Sequence, residues 1–226
     1  MQVWKGGGSF DAFHALDAEK QTRIVNAALA EFAAKGFKRA STNAIAESAQ
    51  IGKGMLFYYF GSKDELFDFL CQYTIEFMRN RYVRRVESDS GDFLLRHKAL
   101  TDAKRSAMAE FPEVFALFES FYREENAPYF SKFADDIADI KREVYSKIYD
   151  GVDYSLFRGD MDGRNVVKYL KWMMDAYETE TAERLRRGEF DANDGQSLAA
   201  EWSRFYAFTD DLRKAYYKEG KSDGDH

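Results

Sequence analysis

The sequence predicts an all-α protein, and three observations carry that prediction. Apolar residues recur three and four positions apart through most of the chain. Alternating strand patterns of any length are absent. Prolines number two, Pro112 and Pro128, so long stretches between them can remain helical. With 226 residues, 45% of them hydrophobic and 32% charged, the chain suits a soluble globular protein of one large domain or two small ones.

Asp17 is placed to cap a first helix over Ala18–Lys35, in which Ile24, Ala28, Leu29 and Phe32 share a face. Gly36 follows where a left-handed C-cap is expected. A second helix runs from Thr42 to Ala49, capped by Ser41 or Thr42, with Ile45 and Ala46 turned inward. The third, Gly52 to Tyr59, is short enough to depend on its neighbours for stability. Ser62-Lys63-Asp64-Glu65 has the form of a capping box, in which Ser62 bonds the amide of Glu65 and Glu65 reaches back to the amide of Ser62. It opens a fourth helix carrying Leu66, Phe67, Phe69, Leu70, Tyr73 and Phe77 and running to about Val86. Ser88–Asp92 reads as a loop. Five more helical stretches follow over roughly 93–109, 112–124, 128–150, 162–187 and 197–218, with Asp162 and Ser197 as caps of the last two. No internal repeat is present.

Several function classes find little support. The single cysteine, Cys71, has no disulfide partner, which points to a reducing cytoplasm; it lies amid Phe67, Leu70 and Tyr73 and reads as a buried, inert thiol. No apolar run reaches the roughly 18 residues of a membrane span, and the N-terminus lacks the apolar core of a signal peptide. Gly6-Gly7-Gly8-Ser9 reads as a flexible linker or an added segment, since the rest of a phosphate-loop pattern is missing. His14, His97 and His226 have no ligand-spaced partners, so no metal is expected, and no cofactor motif is present. In Asp191-Ala192-Asn193-Asp194-Gly195 the glycine and Trp202 stand at the wrong positions for a calcium loop, which leaves an interhelical turn. No nucleophile sits in an activation motif.

Charge is more informative by region than in total. The net charge is -6, yet residues 1–80 carry nine Lys/Arg and nine Asp/Glu, so the whole excess lies after residue 80. Between 35 and 63 the positive residues Lys35, Lys38, Arg39, Lys53 and Lys63 face Glu47 alone. A small basic surface on an acidic body can hold a polyanion if the body faces away.

Two short helices joined by a tight turn and braced by a longer one form a helix-turn-helix. The second helix of such a unit enters the major groove by its N-terminal residues. Lys53 is there for phosphate, Gly54 lets the backbone approach closely, and Met55 can touch a thymine methyl group. Tyr58 and Tyr59 can place hydroxyls on phosphate, Leu56 and Phe60 fall inward, and Lys63 with the first turn of the fourth helix offers a second phosphate site. Phe57 fits either core or surface.

The segment closely resembles the TetR family of bacterial transcriptional regulators over residues 18–70. The resemblance rests on Gly36-Phe37, Ser41-Thr42, Ile45-Ala46, Ala49, Lys53-Gly54, Leu56–Phe60 and Ser62–Phe67, without a gap. It implies a helix-turn-helix DNA-binding domain over 17–63, after an N-terminal extension over 1–16, and a helical effector-binding and dimerisation domain over 64–220; the polar tail over 221–226 reads as disordered. It implies a cytoplasmic homodimer that represses from a double-stranded DNA operator and is released by a small apolar or aromatic effector. Thr42, Lys53, Tyr58, Tyr59 and Lys63 would contact phosphate, with Gly54 and Met55 nearest the bases. Among the many aromatics of the C-terminal part, Phe118, Tyr122, Phe133, Trp172 and Tyr177 are the candidates for an effector pocket.

Three positions depart from the family pattern. Gln50 replaces the usual turn glycine, which predicts a shifted turn. Gly52 replaces a small capping hydroxyl residue. Phe57 replaces a common tyrosine, with the loss of one phosphate hydrogen bond. These departures also motivate a different class, a small-molecule-binding helical protein or enzyme that keeps the helix-turn-helix as scaffold.

Overall fold

The computed structural model describes residues 10–86, 90–121, 127–190 and 194–219. Among them the chain is helical between its turns, with one isolated antiparallel bridge, Phe157 to Tyr217. The helices are α1 (Asp11–His14), α2 (Ala18–Arg39), α3 (Thr42–Ser48), α4 (Met55–Phe60), α5 (Lys63–Phe77), α6 (Phe93–Glu110), α7 (Pro112–Ser120), α8 (Ala127–Phe130), α9 (Ala134–Tyr149), α10 (Gly163–Arg186) and α11 (Gly195–Tyr216). The chain divides into two compact units, one of Met1–Glu87 with Leu100–Ser146 and one of Ser88–Ala99 with Lys147–His226.

Several elements differ from the sequence reading. The fourth predicted helix ends at Phe77 and continues as a π-helical turn over Met78–Tyr82 and a 3-10 turn over Val83–Arg85. The stretch expected over 128–150 is broken by a 3-10 turn at Ser131–Phe133. The last helix begins at Gly195, because Asp194 rather than Ser197 is the cap: its carboxylate accepts the Ser197 amide at 2.8 Å. Asp162 caps α10 as expected, taking the amides of Arg164 and Asn165. The tail at 221–226, the residues of the linker run and Asp191–Asn193 lie outside the described residues.

In the first unit α2 packs along α3, α5 and α7. The contact is built from aromatic rings: Phe67 lies 4.9 Å from Phe32, 5.1 Å from Phe37 and 5.4 Å from Phe130, centroid to centroid. Further along α5, Phe77 lies 4.7 Å from Phe111. Each fully buried ring of this kind contributes about 1.5–3 kcal/mol. Arg79, in the π-helical turn, is held at 3.1 Å by Glu143 of α9.

The second unit is fastened by polar groups. Asp92 starts α6 by accepting the amides of Leu94 and Leu95, at 2.9 and 3.1 Å. The same carboxylate accepts the Tyr217 hydroxyl at 2.8 Å and pairs with Arg213 of α11 at 2.7 Å. Burial, with the Asp92 charge alongside, pushes the Tyr217 phenol far above its ordinary pKa. Arg96 is buried and donates to the carbonyls of Ser90, Asp150 and Gly151, so that it closes the end of α9. Arg184 and Glu201 join α10 to α11 at 2.5 Å.

Candidate nucleic-acid interface

The interface begins where α2 breaks. Gly36, at φ +68°, interrupts the helix at the position foreseen for a cap, and Ala40 is extended. Ser41 then caps α3, its hydroxyl accepting the Ala44 amide at 3.3 Å. Glu31 of α2, not singled out from the sequence, fixes this start. Its Oε1 accepts the Ser41 amide at 2.8 Å and the Lys35 ammonium at 2.9 Å. Burial works to raise the Glu31 pKa, and these two bonds with the nearby lysine charges outweigh it and hold the carboxyl below its ordinary value.

The turn between α3 and α4 is not shifted. The Ile51 amide donates to Ala46 at 2.9 Å and the Gln50 amide to Glu47 at 3.0 Å, which is the paired closure of a Schellman motif. Such closure requires a left-handed residue at its centre, and Gln50 takes φ +56°. It is the one non-glycine residue with positive φ among those described. The backbone hydrogen bonds hold a conformation that costs a side-chain-bearing residue about 1–2 kcal/mol.

Gly52–Gly54 then forms a turn, and α4 starts at Met55 rather than at Gly52. Leu56, Tyr59 and Phe60 are its buried face. They meet α1, whose Phe13 is fully buried 4.8 Å from Phe60 and 6.5 Å from Tyr59. Phe10 and Phe69 complete the cluster, at 5.5 and 5.2 Å from Phe60. Residues 10–14 are therefore part of the support of the helix-turn-helix rather than an extension before it. The three-residue spacing of Phe10 and Phe13 was the available signal.

Tyr59 is a correction to the expected phosphate contacts: it is 4% exposed and packs against Phe13. Tyr58 is 68% exposed and Phe57 48%, so the ring beside Tyr58 on the surface is Phe57, which takes it out of the core. Gly52, Lys53 and Gly54 are exposed, and Met55 and Thr42 are half-exposed. Gly54 has α-helical backbone angles, φ -78° and ψ -14°, and a β-carbon built there would meet nothing within 4 Å. Nothing inside the chain requires glycine at this position.

Gly61 turns the chain at φ +74° and Ser62 caps α5, its hydroxyl accepting the Glu65 amide at 3.1 Å. The reciprocal half of the box differs from expectation. The Ser62 amide bonds Phe60 at 2.8 Å, and the Glu65 carboxylate accepts the Ser62 hydroxyl at 2.9 Å. Lys63 donates to the Lys38 carbonyl at 3.3 Å and lies 4.9 Å from the Phe37 ring. It ties α5 to the end of α2 as well as adding positive charge. Met55 and Tyr58, three apart on α4, follow the exposed Lys53 and Gly54, and Thr42 and Lys63 begin α3 and α5 on either side.

The expected effector residues are divided between the two units. Phe118, half-buried 5.5 Å from Phe121, and Phe133, buried, belong to the first unit. Trp172 and Tyr177 belong to the second. Tyr122 lies outside the described residues. Trp172 is 54% exposed, with Tyr169 tilted against it at 5.9 Å and Lys168 over its ring. Tyr177 stacks on Phe208 at 4.6 Å beside an open cleft of about 520 Å³ between α10 and α11, with Met173, Glu180, Arg204 and Asp211. Among the described residues there is no metal-ligand cluster, and no helix is long and apolar enough to cross a membrane.

The first unit thus carries a basic helix-turn-helix whose second helix is backed by aromatic rings. Residues 24–69 match the tetR family of bacterial regulatory proteins, and the chain carries that family's helix-turn-helix domain. The HTH-type transcriptional repressor KstR2 of Mycobacterium tuberculosis is 24% identical over 153 residues, 67% of this chain and 76% of the relative. The solved structure of that protein, described as a ketosteroid transcriptional regulator, superimposes with a TM-score of 0.58 at 20% identity over 90% of this chain and 97% of its own. A TetR family transcriptional regulator from Chloroflexus aurantiacus gives 0.54 at 22% identity, over 92% and 98%. These relatives are transcriptional regulators rather than enzymes, and the likeness of the structures establishes the all-α fold of an N-terminal helix-turn-helix with a helical C-terminal part.

Proposed function

We propose that the protein is a dimeric, ligand-responsive transcriptional repressor, released from its operator by a small apolar or aromatic effector. The observation that carries the reading is Gly54. It lies just before α4 with backbone angles that alanine adopts without strain, its position is open, and it stands beside the exposed Lys53. A missing side chain there lets the protein backbone approach DNA closely. Thr42, Lys53, Tyr58 and Lys63 are the proposed phosphate contacts, and Gly54 and Met55 the residues nearest the bases.

The half-buried rings of Trp202, Phe205 and Phe208 on α11, with Met173 and Tyr177 on α10, support a second copy as the partner of that face. In such a dimer two recognition helices would meet major grooves about 34–36 Å apart. An effector held against α7 would act on α5, which packs on α7 within the same unit and leads directly from the helix-turn-helix. A coupling of about 1–3 kcal/mol is enough to lower operator occupancy several-fold.

Selection of bound sequences from a random DNA pool tests the reading, and a palindromic site is the expected result. Lys53→Ala with Lys63→Ala should then weaken binding and flatten the slope of log affinity against log salt by about 0.9 for each phosphate that is no longer neutralised. An unchanged slope would mean that another surface holds the DNA.

A further inference from the structure

Phe57 takes no part in the contacts proposed above, nor in the packing of its own helix. Its ring is 48% exposed, whereas Leu56, Tyr59 and Phe60 are between 1% and 4% exposed and meet the packing needs of α4. At 100° per residue Tyr58 projects opposite that buried stripe, with Phe57 and Met55 on its two flanks. Among the described residues no other ring packs on Phe57, although the interior of the same domain is crowded with aromatic pairs. A phenylalanine held in water forgoes most of its burial free energy.

The surroundings indicate what covers it. Lys53 lies four residues away, the segment 35–63 has five positive residues against one negative, and the domain is that of a DNA-binding family. A phenyl ring offers nothing to a phosphate, since it has no donor. On the floor of the major groove the apolar group open to it is the thymine C5-methyl, and apolar contact with that methyl is a recognised means of reading A·T pairs. The neighbouring exposed positions reinforce this assignment. Gly52 and Gly54 have no side chain and Met55 has no strong donor, so hydrogen-bonded base recognition along α4 is sparse.

We infer that Phe57 is a base-reading residue that recognises one thymine C5-methyl group in each half-site. The inference rests on the DNA-binding reading above, and the experiment separates the two. The full chain is used to select sites from a random pool, and each thymine of the enriched site is then replaced by deoxyuridine, which removes the methyl and leaves the hydrogen-bonding edges intact. For the unaltered protein, one position per half-site should lose about fourfold in affinity, the effect of burying one methyl group. Phe57→Ala should be indifferent to the same replacement, and Phe57→Leu, which keeps an apolar side chain, should retain at least part of the discrimination. If no thymine distinguishes the unaltered protein from Phe57→Ala, the inference is overturned while DNA binding stands. If no sequence is enriched at all, both fall.

Discussion

Replacing Gln50 by glycine should make the protein more stable. The Schellman closure holds residue 50 at φ +56°, where a side chain costs about 1–2 kcal/mol. Glycine removes that strain but gives the unfolded chain more freedom, at a cost of about 0.5–1 kcal/mol. The net expectation is a gain of about 0.5–1 kcal/mol. For a chain of this length that raises the melting temperature by about 1–4 °C. Reversible urea unfolding, with thermal melts alongside, measures it. A β-branched residue should move the other way, so the order of stability is Gln50→Gly, then the unaltered protein, then Gln50→Val. Because the two backbone bonds already hold the turn, operator affinity of the glycine variant should stay within about twofold. A melting temperature that falls in Gln50→Gly would refute the reasoning, since it would mean that the glutamine side chain makes a stabilising interaction larger than the backbone strain.

Other substitutions probe separate parts of the argument. Gly54→Ala should raise stability by about 0.4–1 kcal/mol in urea unfolding, because the added methyl meets nothing; it should lower operator affinity at least tenfold in a fluorescence-anisotropy titration, and unchanged affinity would remove the close-approach role. Asp92→Ala removes the acceptor of the Leu95 amide and of the Tyr217 hydroxyl and the ion-pair partner of Arg213 together, and should cost about 3 kcal/mol by urea unfolding. His97 is buried against Phe93 and Tyr149 with Nε2 unbonded, and burial lowers its pKa to about 4 against the weaker pull of Asp175. The unfolded chain takes up the proton near pH 6.5 and the folded chain resists until about pH 4. Stability is therefore complete above pH 6.5, falls by about 3 kcal/mol between pH 6.5 and 4 and is flat below, and His97→Leu should abolish that part of the pH profile.

The helix-turn-helix was legible because its signals are local. Asp17, Ser41 and Ser62 are caps whose chemistry is complete within three or four residues, and each is used as its spacing implies. Gly36 is likewise decided by its own backbone. The errors arise where a tertiary contact decides. Tyr58 and Tyr59 are identical as residues, and only the rings of Phe13 and Phe60, brought by α1 and by α4 itself, determine which of them leaves the surface. Glu31 reads as one half of an ordinary pair with Lys35, and its bond to Ser41 ten residues on appears only once the chain has turned.

Gln50 shows the same limit from the opposite side. Sequence reasoning treats glycine as the residue a left-handed turn requires, and so expects the turn to move when glycine is absent. The requirement belongs to the hydrogen bonds, not to the residue. Two amides, those of Gln50 and Ile51, must close on Glu47 and Ala46 if α3 is to end where Ile45 and Ala46 are buried. Shifting the turn by one residue would swing the segment that follows by about 100° and take Leu56, Tyr59 and Phe60 of α4 out of the core, at about 0.8 kcal/mol for each buried methyl or methylene group. For the leucine alone this exceeds the strain of about 1–2 kcal/mol at one glutamine. The packed side chains therefore set the register and the backbone of Gln50 yields, which holds Lys53 and Gly54, and the exposed Phe57 and Tyr58 of α4, in the orientation on which the proposed DNA recognition depends.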